Sequence, residues 1–200
     1  RLDACLAIGR ALDFPLFVRV PSADPAAMLQ ALDSGADGLI VPHVDSPEKA
    51  EAVVKAARFG RGGRGFAGTS RWAGMGTRPM GEVLAETADT LVIAQIEDVE
   101  GVETCEAICA TPGLDGIFLG PADLSVAYGH ANQTSDDLIA AIKRVGAAVK
   151  ANGLAYFTFV PDAEKAKAWS QYGFTGYFIA SEHAWMRQMA NAQAQAIRGL

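Results

Sequence analysis

Short apolar runs rich in β-branched and aromatic residues recur along the chain, each followed by a turn and an alanine-rich amphipathic stretch. Six of them predict strands: residues 16–20, 38–42, 90–97, 116–120, 154–160 and 175–180. The runs are continuous rather than alternating, so the strands are expected to be buried on both faces, as in a parallel sheet covered by helices. Three strands are preceded by a G-x-D/T-G turn: Gly35-Ala36-Asp37-Gly38, Gly113-Leu114-Asp115-Gly116 and Gly173-Phe174-Thr175-Gly176. A helix-ending glycine leading into a strand is what a (β/α) barrel or a doubly wound sheet requires repeatedly.

Six units do not close an eight-stranded barrel. The segment Leu2 to Leu12 reads as a helix lying ahead of the first strand, without the strand it should follow, and the chain begins with Arg1 rather than Met. The expectation is an α/β fold, a (β/α)8 TIM barrel whose first two strands are missing from this sequence. Residues 1–200 then form one N-terminally incomplete domain. Residues 184–200, with Trp185, Met186 and Met189, predict a terminal helix that docks on the barrel or on a neighbouring subunit.

Composition narrows the partners. Half of the 200 residues are hydrophobic and the net charge is −6, with no basic block, which argues against nucleic-acid binding through phosphate neutralisation. No apolar run approaches the ~20 residues needed to span a bilayer, so no membrane partner is expected. Cys5, Cys105 and Cys109 form neither a CxxC pair nor an even set, which favours reduced thiols and a cytoplasmic location. The string Gly60-Arg61-Gly62-Gly63-Arg64-Gly65 satisfies G-x-G-x-x-G, but it follows a helical pattern instead of a strand, so a dinucleotide site is not expected. The loop it opens, through Ser70-Arg71-Trp72, is either a solvated connection or a lid or subunit contact presenting Arg71 to an anion.

The informative polar residues fall at strand C-terminal ends, where (β/α) enzymes place their chemistry. Gln95 and Glu97 share one face of their strand because side chains alternate with period two, and Asp123 follows the next strand in "IFLGPADLS". Two carboxylates converging from neighbouring strands repel unless a cation or proton lies between them. Oxygen ligation with open positions suits Mg²⁺ or Mn²⁺, with Co²⁺ a further option. The competing reading is that each acid caps the following helix. Arg19, set in "FVRVP", needs a partner: either a substrate oxygen or an ion pair with Asp33 or another acid. Asp33 stands near a helix end, where negative charge opposes the helix dipole, so it calls for a functional or ion-pairing role. His43, in "VPHVDS", is either substrate-facing or a loop or interface residue.

"FVRVP", "GADGLIVPHVDSPEKAEAVVKAARF", "SRW", "AQIED", "GLDGIFLGPADLS" and "GFTGYFIASEH" together resemble the HpcH/HpaI aldolase/citrate lyase family, from Leu16 nearly to the end. The resemblance implies a divalent-metal-dependent class II aldolase that joins pyruvate, as its enolate, to an aldehyde. Its substrate is then a 4-hydroxy-2-oxo acid. It also implies metal ligands at Glu97 and Asp123, with Gln95 beside them. Arg19 contacts the C2 oxygen of pyruvate, and the Pro121-Ala122-Asp123 backbone receives the carboxylate. The family's general base is a histidine in the absent strands, paired with an acid aligning with Asp33. Alternatives are a citryl- or malyl-CoA-type lyase, using Arg58, Arg61, Arg64 and Arg71 for the CoA phosphates, and a non-catalytic keto-acid-binding or truncated subunit. Family members are homo-oligomers, hexamers or trimers of dimers, that exchange the C-terminal helix.

Overall fold

The computed structural model describes residues 1–199, in which six parallel strands lie in strict chain order, β1-β2-β3-β4-β5-β6. The first half of the chain runs α1 (Leu2–Ala11), β1 (Phe17–Arg19), α2 (Pro25–Asp33), β2 (Gly38–Val41), α3 (Pro47–Ala57), α4 (Met80–Ala85) and β3 (Leu91–Ile96). The second half runs α5 (Val99–Glu103), α6 (Cys105–Cys109), β4 (Gly116–Leu119), α7 (Pro121–Ala127), α8 (Asp136–Ala151), β5 (Ala155–Val160), α9 (Ala163–Trp169), β6 (Gly176–Ile179) and α10 (Glu182–Arg198). All six expected strands form. The sheet is a curled half-barrel with open edges at β1 and β6, six strands as read from the sequence.

The continuous apolar runs behave as predicted in the middle of the sheet. β2 is buried at every position and β3 at every position after Leu91, because helices cover the outer face while strand side chains fill the concave one. Toward the edge the pattern weakens, and β6 has no fully buried residue. The main core lies between the sheet and its helices, centred on Leu32, Leu39, Ile96, Ile117, Leu119 and Ile142. Cys105 and Cys109 belong to it, and burial pushes their thiols up to about 11 and about 12.

The G-x-D/T-G repeat has a structural reason. Asp37 Oδ2 accepts a hydrogen bond from the Leu16 N–H at 2.8 Å, Asp115 Oδ2 from Val92 N–H at 2.7 Å, and Thr175 Oγ1 from Tyr156 N–H at 2.8 Å. In each case the backbone N–H of the same Asp or Thr donates back to the carbonyl of that partner. Each turn thus latches an incoming strand to the start of the one before it, satisfying strand-end groups that the ladder leaves unpaired. The leading glycines, Gly35, Gly113 and Gly173, all have positive φ, which a side chain would oppose.

These latches mark the N-terminal end of the sheet. The long connection from α3 to β3 runs on the same side and carries a small second core of Trp72, Ala73 and Val83 packed against Phe59. Within it, the Gly60–Gly65 string forms a tight turn, with the Arg64 N–H donating to the Arg58 carbonyl at 2.7 Å. No helix opens there, in keeping with the rejection of a dinucleotide site. No described helix is long and apolar enough to cross a membrane. α10 carries no buried residue, and Trp185, Met186 and Met189 are exposed, so it does not dock on its own sheet.

Candidate active site

At the opposite, C-terminal end of the sheet, the concave face opens into a cavity of about 340 Å³. Arg19, Gln95, Asp123 and Gln133 supply its polar lining, and Ile40, Phe118, Phe159 and Phe178 its apolar walls. Strand register explains the grouping: Arg19 pairs with Ile40 across β1 and β2, and Gln95 pairs with Phe118 across β3 and β4. Residues at one height on neighbouring parallel strands present their side chains to the same face.

Glu97 adjoins this lining through Gln95 and Gly120 and is only 1% exposed. A buried carboxylate is costly unless its oxygens are engaged. Its Oε1 accepts the His43 backbone N–H at 3.0 Å, and its Oε2 accepts from the Gln95 side-chain amide. The Gln95 amide is oriented in turn by Arg19, whose Nε donates to Gln95 Oε1 at 3.4 Å across the top of β2. Arg19, Gln95 and Glu97 are therefore one directed chain. Arg19 makes no ion pair with Asp33 or any other carboxylate among the described residues, and its remaining donors face the cavity. Gly120 keeps the floor open: a methyl group there would come within 2.8 Å of Glu97 Cβ and 3.1 Å of its Oε2.

Asp123 enters from the first turn of α7, which Pro121 starts at a position where no N–H is needed. No side chain caps this helix, and none caps α5 after Asp98. The competing reading, that Glu97 and Asp123 cap the helices that follow them, is thus not met. Asp98 turns instead to His43, whose Nδ1 lies 3.0 Å from Asp98 Oδ2. Burial lifts the Glu97 carboxyl above its ordinary range, opposed by the His43 N–H, and the Asp123 charge adds to the rise. The Asp98 contact raises the His43 imidazole.

The donor set fits a hard divalent ion. Two carboxylates, one buried with its orientation fixed and one free of side-chain hydrogen bonds, supply oxygen ligands only. Among the described residues no group of three or more His, Cys, Asp or Glu is placed to hold an ion alone, so the remaining positions would fall to water and substrate.

Residues 3–188 match the family model for HpcH/HpaI aldolase/citrate lyase. The chain belongs to this family. Among its relatives, the hydroxypyruvate/pyruvate aldolase of Paraburkholderia phytofirmans is 34% identical over 187 residues, covering 90% of this chain and 72% of that protein. The 4-hydroxy-2-oxovalerate aldolase of Rhodococcus jostii is 39% identical over 155 residues, covering 74% of this chain and 58% of that protein. A solved HpcH/HpaI family protein from Burkholderia cenocepacia superposes with a TM-score of 0.93 at 33% identity, covering 98% of this chain and 79% of that one. Both relatives are named as aldolases.

Two site residues expected from the sequence are not in the cavity. Asp33 ends α2 at the N-terminal side of the sheet, where its carboxylate pairs with Arg64 Nη2 at 2.6 Å. That pairing accounts for an acid at a helix end, and within this chain it places Asp33 away from Gln95 and Glu97. Arg71 is on the same far side, donating to Asp3 at 2.6 Å and to the Ser34 carbonyl at 3.0 Å, and so is not a lid over this cavity. The sequence reading in turn missed Gln133 and the three phenylalanines of the wall. Alternation along β4, β5 and β6 was the available signal for the aromatics. Gln133 sits in an irregular loop with none.

Proposed function

We propose that this HpcH/HpaI chain is a metal-dependent pyruvate aldolase acting on 4-hydroxy-2-oxo acids. The observation that carries the reading is the buried Glu97 carboxylate, held by His43 N–H and by the Arg19–Gln95 chain, beside a cavity that Arg19, Gln95 and Asp123 line.

Glu97 and Asp123 would hold a divalent ion such as Mg²⁺, Mn²⁺ or Co²⁺, which would supply Lewis-acid polarisation of the 2-oxo group. Arg19 donates to that same oxygen, and its permanent charge stabilises the negative charge that grows there as C3 takes on carbanion character. Gln95 keeps the Arg19 fork aimed without neutralising it. The first-turn N–H groups of Ala122 and Asp123, free of helix partners, receive the substrate carboxylate. In cleavage the C4 hydroxyl loses its proton, the C3–C4 bond breaks and the aldehyde departs. Its electron pair stays on the pyruvate fragment and takes up a proton at C3.

A CoA thioester is less well served. Arg58 donates to the Thr87 and Thr90 carbonyls, Arg64 to Asp33 and Arg71 to Asp3, so three of the four guanidiniums are spent at the end of the sheet opposite the cavity, and Arg61 sits in the Gly60–Gly65 turn between them. The histidines are likewise engaged: His43 with Asp98, His130 with Asp137, and His183 with Glu182. The test is therefore set at binding and enolisation, which precede any carbon–carbon step. Calorimetry is expected to show pyruvate binding that requires Mg²⁺ or Mn²⁺, and NMR to show exchange of its methyl protons into D₂O. Absence of binding with either ion sinks the reading; binding without exchange identifies a keto-acid-binding subunit rather than an aldolase.

The reading extends to assembly and location. α10 leaves Trp185, Met186 and Met189 uncovered, and we propose that it packs on a second copy, building a homo-oligomer such as a hexamer or trimer of dimers that works in the reducing cytoplasm. Sedimentation should give a multimer that Trp185→Glu with Met189→Glu dissociates. A wild-type monomer would count against it.

A further inference from the structure

The β2–α3 loop meets the Glu97 carboxylate through His43, and the backbone at this contact is strained. His43 has φ 54°, in the left-handed region that a Cβ opposes. Such a conformation persists only where its surroundings over-determine it. Here they do. The His43 carbonyl accepts from Lys49 Nζ at 2.7 Å, and the same ammonium grips Asp45 at 2.5 Å. The Val44 N–H donates to the Gln95 carbonyl at 3.0 Å, and the Asp45 carbonyl accepts from Thr104 Oγ1 at 3.0 Å. Gly101 leaves room for the loop, since a methyl group there would come within 3.0 Å of the Val44 carbonyl oxygen.

The brace aims one N–H at Glu97 Oε1, 3.0 Å away. With the Gln95 amide on Oε2, each carboxylate oxygen carries one hydrogen bond and keeps a lone pair for a cation. The imidazole is directed elsewhere. Its Nδ1 lies 3.0 Å from Asp98 Oδ2 but 3.5 Å from Glu97 Oε1, and the side chain is 60% exposed. His43 does not line the cavity, and among the described residues it belongs to no group of three or more His, Cys, Asp or Glu that could hold an ion.

We infer that His43 is a positioning residue for the candidate metal site: its backbone N–H, set by the braced left-handed turn, fixes Glu97, and its imidazole serves the brace rather than the ion. Lys49, in the first turn of α3, acts one step further out by holding the peptide that follows His43. The inference rests on the reading of Glu97 as a metal ligand.

The test is Mn²⁺ binding to the metal-free protein by calorimetry, with circular dichroism confirming that each variant is folded. Loss of binding in Asp123→Asn identifies the ion measured as the one at this site. His43→Gly keeps the N–H and relaxes the turn, so affinity should stay within about threefold of the wild type. His43→Val opposes the turn through its branched Cβ and should weaken binding about tenfold, the lower end of what residues orienting a metal ligand contribute. Lys49→Met leaves His43 and Glu97 in place and should weaken it about fivefold, the size of one net hydrogen bond. An equal loss in His43→Gly and His43→Val would mean that the imidazole acts on the ion directly, and overturns the inference. Wild-type affinity in both His43→Val and Lys49→Met also overturns it, as does wild-type affinity in Lys49→Met alone should His43→Val not fold. In these cases Mn²⁺ binding that Asp123→Asn removes leaves the metal reading standing. A wild type that binds no Mn²⁺, or binds it undiminished in Asp123→Asn, removes that reading and the inference with it.

Discussion

Asp123→Asn is expected to weaken Mg²⁺-dependent pyruvate binding by roughly 100-fold or more, since even residues that only orient a metal ligand are commonly worth 10–100-fold. The asparagine keeps the shape of the aspartate while removing half of the carboxylate charge at the mouth. It is a cleaner deletion than Glu97→Gln. Both Glu97 oxygens accept hydrogen bonds, from the His43 N–H and the Gln95 amide, so a glutamine there sets its own NH₂ against one of those donors in either orientation. Asp123 has no such side-chain partner and is exposed to the cavity, so the metal-free fold should hold to within about 0.5 kcal/mol.

The same site ties stability to pH and metal. The Glu97 carboxyl is raised above its usual 4.5, chiefly by burial, so in that window the folded chain holds a proton that the unfolded chain has lost. Metal-free stability therefore falls as pH rises through the Glu97 ionisation. An ion bound to the carboxylate favours its charged form and reverses the penalty, adding stability by mass action. Thermal melts should show Mg²⁺ raising Tm more near neutral pH than at about pH 4.5, and this increment should shrink in Asp123→Asn. A Tm that ignores Mg²⁺ in the wild type, with pyruvate affinity intact in the variant, would remove both residues from the ligand set.

Much of this site could be read before any coordinates because its information is periodic and local. Gln95 and Glu97 share a face by alternation alone, and Asp123 follows a strand that Pro121 must end. The G-x-D/T-G repeat announced a recurrent turn, but its purpose depended on a partner strand some twenty residues earlier, as in Asp37 to Leu16. The misplacement of Asp33 and Arg71 has a different origin. In parallel βα units, loops after strands and loops after helices lie at opposite ends; Asp33 ends a helix and Arg71 follows one, so both fall at the end away from the cavity, and of the two roles the helix end suggested for Asp33 the ion pair is the one formed. The engagement of His43 was out of reach for a third reason. It adopts φ 54°, a left-handed turn that delivers its N–H to Glu97, and nothing in "VPHVDS" encodes that conformation through a glycine. Six runs specify six strands, as found, and strand number beyond them is not written in these residues.

The largest expected loss of stability lies at the other end of the sheet, at Arg64. Its side chain is fully buried, its guanidinium carbon sits 4.6 Å from the ring centres of both Phe59 and Trp72, and one nitrogen grips Asp33 at 2.6 Å. Nε and Nη1 have no hydrogen-bond partner, so charge and stacking, not a saturated network, hold it. Burial pulls its pKa down while Asp33 pushes it up, and an arginine stays charged throughout the working pH range. Truncation to alanine removes the aromatic contacts and leaves the Asp33 carboxylate without its counter-charge, and breaking such a pair costs about 3 kcal/mol or more. Urea unfolding should show that loss for Arg64→Ala. Arg64→Met keeps the aliphatic stem against Phe59 and Trp72 and should lose less, and adding Asp33→Asn to it should recover part of the remainder by removing the stranded charge. If Arg64→Ala unfolds within 1 kcal/mol of the wild type, roughly the effect of an exposed pair, then the loop from Phe59 to Trp72 is held by its apolar contacts alone. A double variant no better than Arg64→Met would instead place the whole cost in lost packing. The two outcomes separate the ion pair from the stacking, which the geometry superimposes on one side chain.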